Sequence, residues 1–393
     1  MSDCYCILAD IGLSTQNQGG ISICNQSREY FMDTDDQLIS LNTHKIEDAW
    51  NSPTRKDIVD CLKSGIRHKN CISCWDEEDA GRGSKRILSN QMYADVRPLS
   101  SQPRTIMLKP GNACNLGCRH CTPFTSSRLV KEYFKVESNI TDYSIYQQQF
   151  ASSKDSYSIS NPFWNTLTEW SENIIFFEIY GAEPTIIDPM WSAIKRSSDS
   201  PNAGNISFYM NTNGTVWRED FFEIFSKLKD VRIAFSIDAT EGQFEYMRYP
   251  AKWDKLLDII DKYKQLTNEL SNITLDITVT VSILNVYYSY EIFDQLNRLD
   301  LTRSVGFNIV HQPSHLNMRI IPDDVKRIIT DKLISESNAS EMLTNFLNIP
   351  IENSQEQLKN FWRITQGYDN LRGESYKTTF PEMYKLLEPY LDI

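Results

Sequence analysis

Three cysteines lie close together in the segment GNACNLGCRHCTPF, residues 111–124. Cys114, Cys118 and Cys121 follow the spacing CxxxCxxC, which can present three thiolates to one metal centre. A structural zinc site usually has four protein ligands, whereas three thiolates on a [4Fe-4S] cluster leave one iron without a protein ligand. The segment therefore predicts a metal site, and the spacing alone leaves both zinc and an iron–sulfur cluster open.

The nine cysteines are distributed unevenly, and all of them lie within the first 121 residues. The N-terminus shows no basic segment followed by an apolar core, so we expect no signal peptide and a cytoplasmic location. Clustered cysteines in a reducing compartment indicate metal ligands or catalytic thiols before disulfides. A zinc site built from CxC and CxxC pairs is one interpretation of the remaining cysteines. These are Cys4, Cys6, Cys24, Cys61, Cys71 and Cys74.

Composition limits the class of protein. The chain has 393 residues, of which 40% are hydrophobic and 23% are charged, as expected for a globular protein with two domains or one large barrel. The formal net charge is -12 and no long basic run occurs, which argues against a nucleic-acid partner. No segment approaches the roughly 18 apolar residues of a membrane helix, so we expect no membrane association.

Six short β-branched runs alternate with amphipathic helical patterns after residue 104. This rhythm predicts an α/β fold with a parallel sheet and right-handed crossovers. Periodicity alone allows either an open doubly wound sheet or a partial barrel. The runs are residues 105–110, 174–181, 206–211, 231–238, 274–282 and 305–310.

Together with the three cysteines, the ends of four runs resemble motifs of the radical SAM superfamily, where SAM is S-adenosylmethionine. The second run ends in YGAEPTI, which is similar to the GGEP turn, and the next three end in NTNGT, SID and TVSILN. The resemblance implies a [4Fe-4S] cluster whose free iron binds SAM. Reductive cleavage of SAM then gives a 5'-deoxyadenosyl radical that abstracts hydrogen from the substrate. It also selects a partial (β/α)6 TIM-like barrel, in which such sites lie at the carboxyl ends of the strands.

The resemblance implies which residues contact SAM. Glu183 would accept from the methionine ammonium, and Gly181 would let the backbone approach the ligand. Ser236 and Asp238 resemble the ribose-binding motif. The full set of implied contacts is His120, Gly181, Ala182, Glu183, Asn211, Asn213, Ser236, Asp238, Ser282, Asn285 and Val310. Ala182 replaces the second glycine of the turn, a departure that we expect to be mild.

The N-terminal third resembles a twitch domain, the half-length relative of the SPASM domain, which houses an auxiliary [4Fe-4S] cluster. Here it precedes the barrel. The implied ligands are Cys6, Cys24, Cys71 and Cys74. Cys4 competes with Cys6, and the spacing to the hairpin cysteine favours Cys6. Ala9 and Asp10 stand where the family has Pro-Trp, so the first ligand is the least defined of the four. We expect Cys61 to be a buried small hydrophobe.

The expected domains are a separate twitch module at 1–95, a barrel at 96–318 with a polar insertion at about 130–165, and a helical extension at 319–393. The expected cofactors are two [4Fe-4S] clusters and SAM, with a flavodoxin- or ferredoxin-type electron donor. The leading hypothesis is a radical oxidoreductase acting on a small-molecule or sugar-like substrate. The alternatives are a peptide-modifying maturase and, more remotely, a zinc-stabilised binding protein. Arg248 is a candidate for binding a carboxylate of the substrate or of SAM, and the alternative is that it forms a surface ion pair. His311 is a further candidate for contact with the adenine.

Overall fold

The computed structural model describes residues 2–79, 81–136, 156–301, 305–336 and 341–391. Most of the predicted polar insertion lies outside these residues. Within them, none of the helices combines the length and the apolar character that crossing a bilayer requires.

One sheet of eight strands organises the chain, in the order β2-β1-β3-β4-β5-β6-β7-β8. All neighbouring strands are parallel except β1 and β2. The predicted α/β fold is therefore confirmed, and this mostly parallel sheet is consistent with a partial barrel. The strands are β1 Gly12–Thr15, β2 Ile21–Ser22, β3 Thr105–Leu108, β4 Phe176–Ile179, β5 Ser207–Thr212, β6 Asp230–Ser236, β7 Ile273–Val281 and β8 Gly306–Ile309.

Helices lie between the strands, and further helices form the N-terminal and C-terminal parts of the chain. The N-terminal helices are α1 Ile7–Ile11, α2 Ile46–Trp50, α3 Pro53–Lys63, α4 Ile72–Asp79 and α5 Lys85–Met92. Those between the strands are α6 Leu129–Val136, α7 Phe163–Trp170, α8 Asp188–Ser198, α9 Phe221–Phe225, α10 Glu241–Met247, α11 Trp253–Glu269 and α12 Ser289–Asn297. The C-terminal helices are α13 Asp323–Glu336, α14 Glu341–Leu347, α15 Ser354–Arg372, α16 Tyr376–Thr379 and α17 Pro381–Leu387.

The two faces of the sheet differ in polarity because successive side chains of a strand point in opposite directions. Phe208 of β5 is buried against Trp191 of α8 and Phe225 of α9, with ring centroids 5.8 and 5.5 Å away. Its neighbour Tyr209 points to the opposite face, where the Arg232 guanidinium lies 5.9 Å from its ring centroid. One face therefore packs against helices, and the other is polar and partly exposed.

The N-terminal strands are part of the barrel sheet. β1 pairs in parallel with β3, with Gly12 opposite Thr105, and all four residues of β1 are buried. An isolated two-stranded hairpin is marginally stable, so the hairpin gains its stability by adding to the sheet. Residues 12–22 therefore share the sheet with the later strands, and the expected domain at 1–95 stays a prediction.

Candidate metal centres

The three central cysteines lie in the loop that follows β3. Gly111 has a φ of 83°, a left-handed conformation that favours glycine, and it redirects the chain into the cysteine loop. Cys118 is buried, whereas Cys114 and Cys121 are half-buried. The loop therefore lies at the carboxyl end of its strand, where parallel barrels build their sites.

Nitrogen donors approach the sulfur atoms of this loop. The Asn213 amide nitrogen lies 4.0 Å from Cys114 Sγ, and Arg248 Nη1 lies 3.9 Å from Cys118 Sγ. Burial raises the pKa of the Cys114 thiol to about 12. A hydrogen bond between Cys121 and Cys118 lowers the pKa of Cys118 and raises that of Cys121. Buried thiols of this kind ionise readily only when a cation binds them, so the donor set fits a metal centre.

His120 lies with these ligands. Its ring nitrogen and the sulfurs of Cys118 and Cys121 are all within 4.8 Å of one another, and its Nδ1 is 3.5 Å from Asp238 Oδ2. The imidazole therefore lies between the cysteine loop and the end of β6. The predicted role beside the adenine stays a prediction.

Arg119, inside the cysteine motif, anchors the loop to the C-terminal helices. Its Nη2 donates to Asp369 of α15 at 2.6 Å and to Glu374 at 2.7 Å, and its guanidinium stacks 3.6 Å from the Tyr246 ring centroid. The side chain is 3% exposed. A buried cation with two carboxylates fixes the position of the residue between Cys118 and His120.

A second arginine holds the other side of the loop. Arg372, at the end of α15, donates to the Gly117 carbonyl at 2.7 Å and to Glu132 of α6 at 2.5 Å. A Cβ on Gly117 would lie 3.1 Å from the same guanidinium nitrogen, which explains the glycine. No local sequence pattern marks these two arginines, because the groups to which their Nη2 atoms donate are more than 200 residues away along the chain.

The turn after β4 is bound to the cysteine loop through its backbone. The Glu183 N–H donates to the Ala113 carbonyl at 3.0 Å. Ala182 has a φ of 53°, so the alanine sits in a left-handed conformation in which glycine would be unstrained. The departure from GGEP is therefore less mild than we expected.

Glu183 joins the ends of β4 and β5. The carboxylate is fully buried and accepts from Thr185 N, Thr185 Oγ1, Thr212 Oγ1 and Asn213 N at 2.6–3.1 Å. Three of these donors share Oε1, and Asn213 N is the one that reaches Oε2 among the described residues. The predicted contact with the methionine ammonium stays a prediction.

Asp238 is also enclosed within the protein. Its carboxylate is fully buried, accepts from the Thr280 N–H at 2.7 Å, and forms an ion pair with Arg248 Nε at 2.8 Å. Burial would raise the pKa of Asp238, but Arg248 and His120 outweigh it and hold the pKa below its usual value. Arg248 is thus a buried ion-pair partner beside Cys118, and neither a surface residue nor a free carboxylate anchor. The predicted contact between Asp238 and the ribose stays a prediction.

The remaining predicted contacts divide into two groups. Ser282 and Asn285 are fully buried and bond to each other and to neighbouring backbone, so they shape a turn. Their predicted contacts with SAM stay predictions. Val310 is buried as well, with its N–H bonded to Val281. Asn211 and Ser236, by contrast, are half-buried at the ends of β5 and β6, and Asn211 Oδ1 has no hydrogen-bond donor among the described residues.

The N-terminal cysteines converge on one small cavity, lined by Cys6, Cys24, Cys71 and Cys74. Burial raises the pKa of all four thiols, and that of Cys71 reaches about 12. Each neighbouring thiolate would raise the pKa values further. Cys6 and Cys74 are buried and Cys24 and Cys71 are half-buried, and four thiols at one cavity fit the donor set of a metal centre.

The two other N-terminal cysteines lie outside this cavity. Cys4 Sγ donates to the Gly65 carbonyl at 3.2 Å, so the structure brings Cys6 and not Cys4 to the other three. Cys61 is half-buried, and its sulfur lies 3.8 Å from Asp57 Oδ1. Cys61 is therefore not the buried hydrophobe that we expected.

A protein-family model matches the part of the chain that contains the central cysteines. Residues 108–285 match the profile of the radical SAM superfamily, so the chain contains a radical SAM domain. Such a domain implies an enzyme that binds SAM and a [4Fe-4S] cluster. A search of the curated proteins found no significant match.

Solved structures give more distant similarities. Native anSMEcpe with bound AdoMet is 13% identical, with a TM-score of 0.37 over 70% of this chain and 68% of that chain. Streptococcus suis SuiB bound to S-adenosylmethionine is 13% identical, with a TM-score of 0.34 over 77% of this chain and 66% of that chain. Similarity at this level carries no information about the substrate.

Proposed function

We propose that the protein is a radical SAM oxidoreductase with two [4Fe-4S] clusters, which catalyses the net two-electron oxidation of a small-molecule or sugar-like substrate. The observation that carries the proposal is the pair of cysteine sets. Three thiols lie at the carboxyl end of β3 in a loop bound to the neighbouring strand ends, and four others line one small cavity. Cys114, Cys118 and Cys121 would hold the SAM-binding cluster, and Cys6, Cys24, Cys71 and Cys74 the auxiliary one.

When bound, SAM would supply the 5'-deoxyadenosyl radical, and the SAM-binding cluster would supply the electron that forms it. The auxiliary cluster would accept the electron of the substrate radical. The chain itself holds the loop rigid through Arg119 and Arg372, so that the three sulfurs keep their mutual positions. Asn213 and Arg248 direct N–H groups towards two of the sulfurs. Such contacts stabilise thiolate ligands and tune their cluster.

The open face of the sheet supports a polar substrate. Glu178, Tyr209, Arg232 and Asp276 alternate with buried apolar residues on β4 to β7 and stay partly exposed or exposed. A face with this many hydrogen-bonding groups suits a molecule that carries several polar substituents. Modification of a peptide is the second candidate function. The electron donor that we propose is a flavodoxin or a ferredoxin.

The test is an anaerobic reconstitution. The reconstituted protein should contain iron and labile sulfide in equal amounts and should form 5'-deoxyadenosine from SAM and dithionite. Deuterium transfer from a labelled candidate substrate into 5'-deoxyadenosine would then identify the attacked carbon. A colourless protein that contains zinc and no labile sulfide would overturn the proposal.

A further inference from the structure

One half-buried cation, Lys109, lies on the open face of the sheet. Lys109 directly follows β3, and its ammonium lies 5.1 Å from the ring centroid of Tyr180. No carboxylate of the described residues lies within ion-pair distance of this ammonium. Burial lowers the pKa of Lys109, and Lys85 contributes in the same direction while Glu178 opposes it. The site would therefore be stabilised by an added negative charge.

The nearest carboxylate is already engaged. Glu178 of β4 accepts from the Lys85 ammonium through both oxygens, at 3.0 and 3.2 Å. Lys85 also lines the cavity of the four N-terminal cysteines. Glu178 therefore pairs with Lys85, and Lys109 has no carboxylate partner among the described residues.

Polar atoms beside Lys109 also lack partners. The Tyr180 hydroxyl and Asn17 Oδ1 are buried, and neither meets hydrogen-bond geometry with a described residue, although the side chains of Ser14 and Asn25 lie beside the hydroxyl. Asn17 Oδ1 and Lys109 Cγ lie 3.5 and 3.6 Å from the position that a Cβ on Gly181 would occupy, so both groups flank this glycine. Buried hydroxyl and amide oxygens are nearly always hydrogen-bonded, so atoms without partners at one place indicate a ligand.

We propose that Lys109 and the Tyr180 hydroxyl bind a carboxylate of the substrate, while Asn17 Oδ1 accepts a hydrogen bond from a donor on the same molecule. The assignment of the bound molecule as substrate rests on the proposed function. The carboxylate can belong to a free organic acid or to a peptide. The carboxylate site lies beside Gly181, in the turn after β4, and near Lys85, which lines the cavity of the N-terminal cysteines. This position suits a molecule that reacts at one cofactor and gives its electron to the other.

The experiment is saturation-transfer NMR on the anaerobic protein, with succinate as the probe and neutral succinamide as its matched control. Succinate should show saturation transfer and succinamide should not. Lys109→Met should weaken succinate binding roughly ten-fold, as expected for loss of a hydrogen bond to a charged group. Tyr180→Phe, which keeps the ring and its packing, should weaken it to a smaller extent. Lys195→Met, which removes a surface ion pair with Glu223, should leave succinate binding unchanged.

Two further arms identify the source of the carboxylate. Adding SAM should leave the succinate signal in place, because displacement by SAM would mean that Lys109 binds the carboxylate of SAM and would overturn the assignment. An acetylated dipeptide with a free C-terminus, compared with its amide, tests a peptide source. Equal succinate binding in the wild type and in Lys109→Met would overturn the proposal. The readout does not depend on the clusters, whose presence is measured separately from iron and sulfide content.

Discussion

The two cysteine sets are built in different ways. The central loop takes three sulfurs from one stretch of eight residues, and polar side chains from distant elements hold it in place. The N-terminal cavity takes four sulfurs from three separate segments, and its walls are largely apolar. On the proposed assignment, the first site would bind a metal in a loop whose position the protein already holds. The second would depend on the metal to join its segments, since closed coordination contributes directly to folding.

The largest expected effect tests the difference in role. Replacing Cys114, Cys118 and Cys121 together by Ala should abolish 5'-deoxyadenosine formation and halve the iron content, because only the central cluster would be lost. Cys61→Ala is the matched control, since Cys61 lies outside both sites. Residual SAM cleavage in the triple variant would contradict the assignment.

The second prediction tests the difference in folding. Cys24→Ala combined with Cys71→Ala should lower the thermal unfolding temperature more than the triple replacement does, because the N-terminal segments lose the metal that joins them. Thermal unfolding followed by circular dichroism in the anaerobic protein would measure it. A smaller decrease than in the triple variant would show that β1 and β2 hold this region without a metal.

The third prediction concerns the anchoring of the central loop. Arg119→Met should destabilise the protein by about 3 kcal/mol, because Asp369 and Glu374 would be left without their buried cation. The central cluster should also be incorporated less completely, while the auxiliary cluster is kept. Denaturant unfolding and iron analysis measure the two effects. Arg298→Met, which breaks an exposed helical ion pair, is the control.

The smallest effect separates the two neighbouring N-terminal cysteines. Cys6→Ala should remove the auxiliary metal, whereas Cys4→Ala should leave iron content unchanged, since Cys4 lies outside the cavity. Iron and sulfide analysis of the two single variants is sufficient. The opposite pattern would mean that the N-terminal segment shifts by two residues when metal binds.

Much of the fold could be predicted from the sequence. The alternating strand and helix patterns predicted the parallel sheet, and the resemblance at the strand ends selected the residues that gather around the cysteine loop. Burial could not be predicted in this way. Glu183 and Asp238 were assigned to SAM by position along a strand, but the structure surrounds both carboxylates with donors from their own chain.

Long-range contacts could not be predicted from the sequence either. Arg119 and Arg372 pair with groups more than 200 residues away, and no local pattern marks such partners. The addition of β1 to the barrel sheet depends on a register between Gly12 and Thr105 that a four-residue strand does not specify by itself. Both features determine how rigid the central site is. Rigidity is the property in which the two cysteine sets differ most.

The central claim is that the open three-cysteine site binds SAM and the closed four-cysteine site does not. Electron paramagnetic resonance of the dithionite-reduced protein, with and without SAM, tests it most directly. We predict that SAM shifts the signal that remains in the Cys24→Ala, Cys71→Ala variant and leaves unchanged the signal that remains in the triple variant of the central cysteines. A SAM-dependent shift in that triple variant would contradict the account.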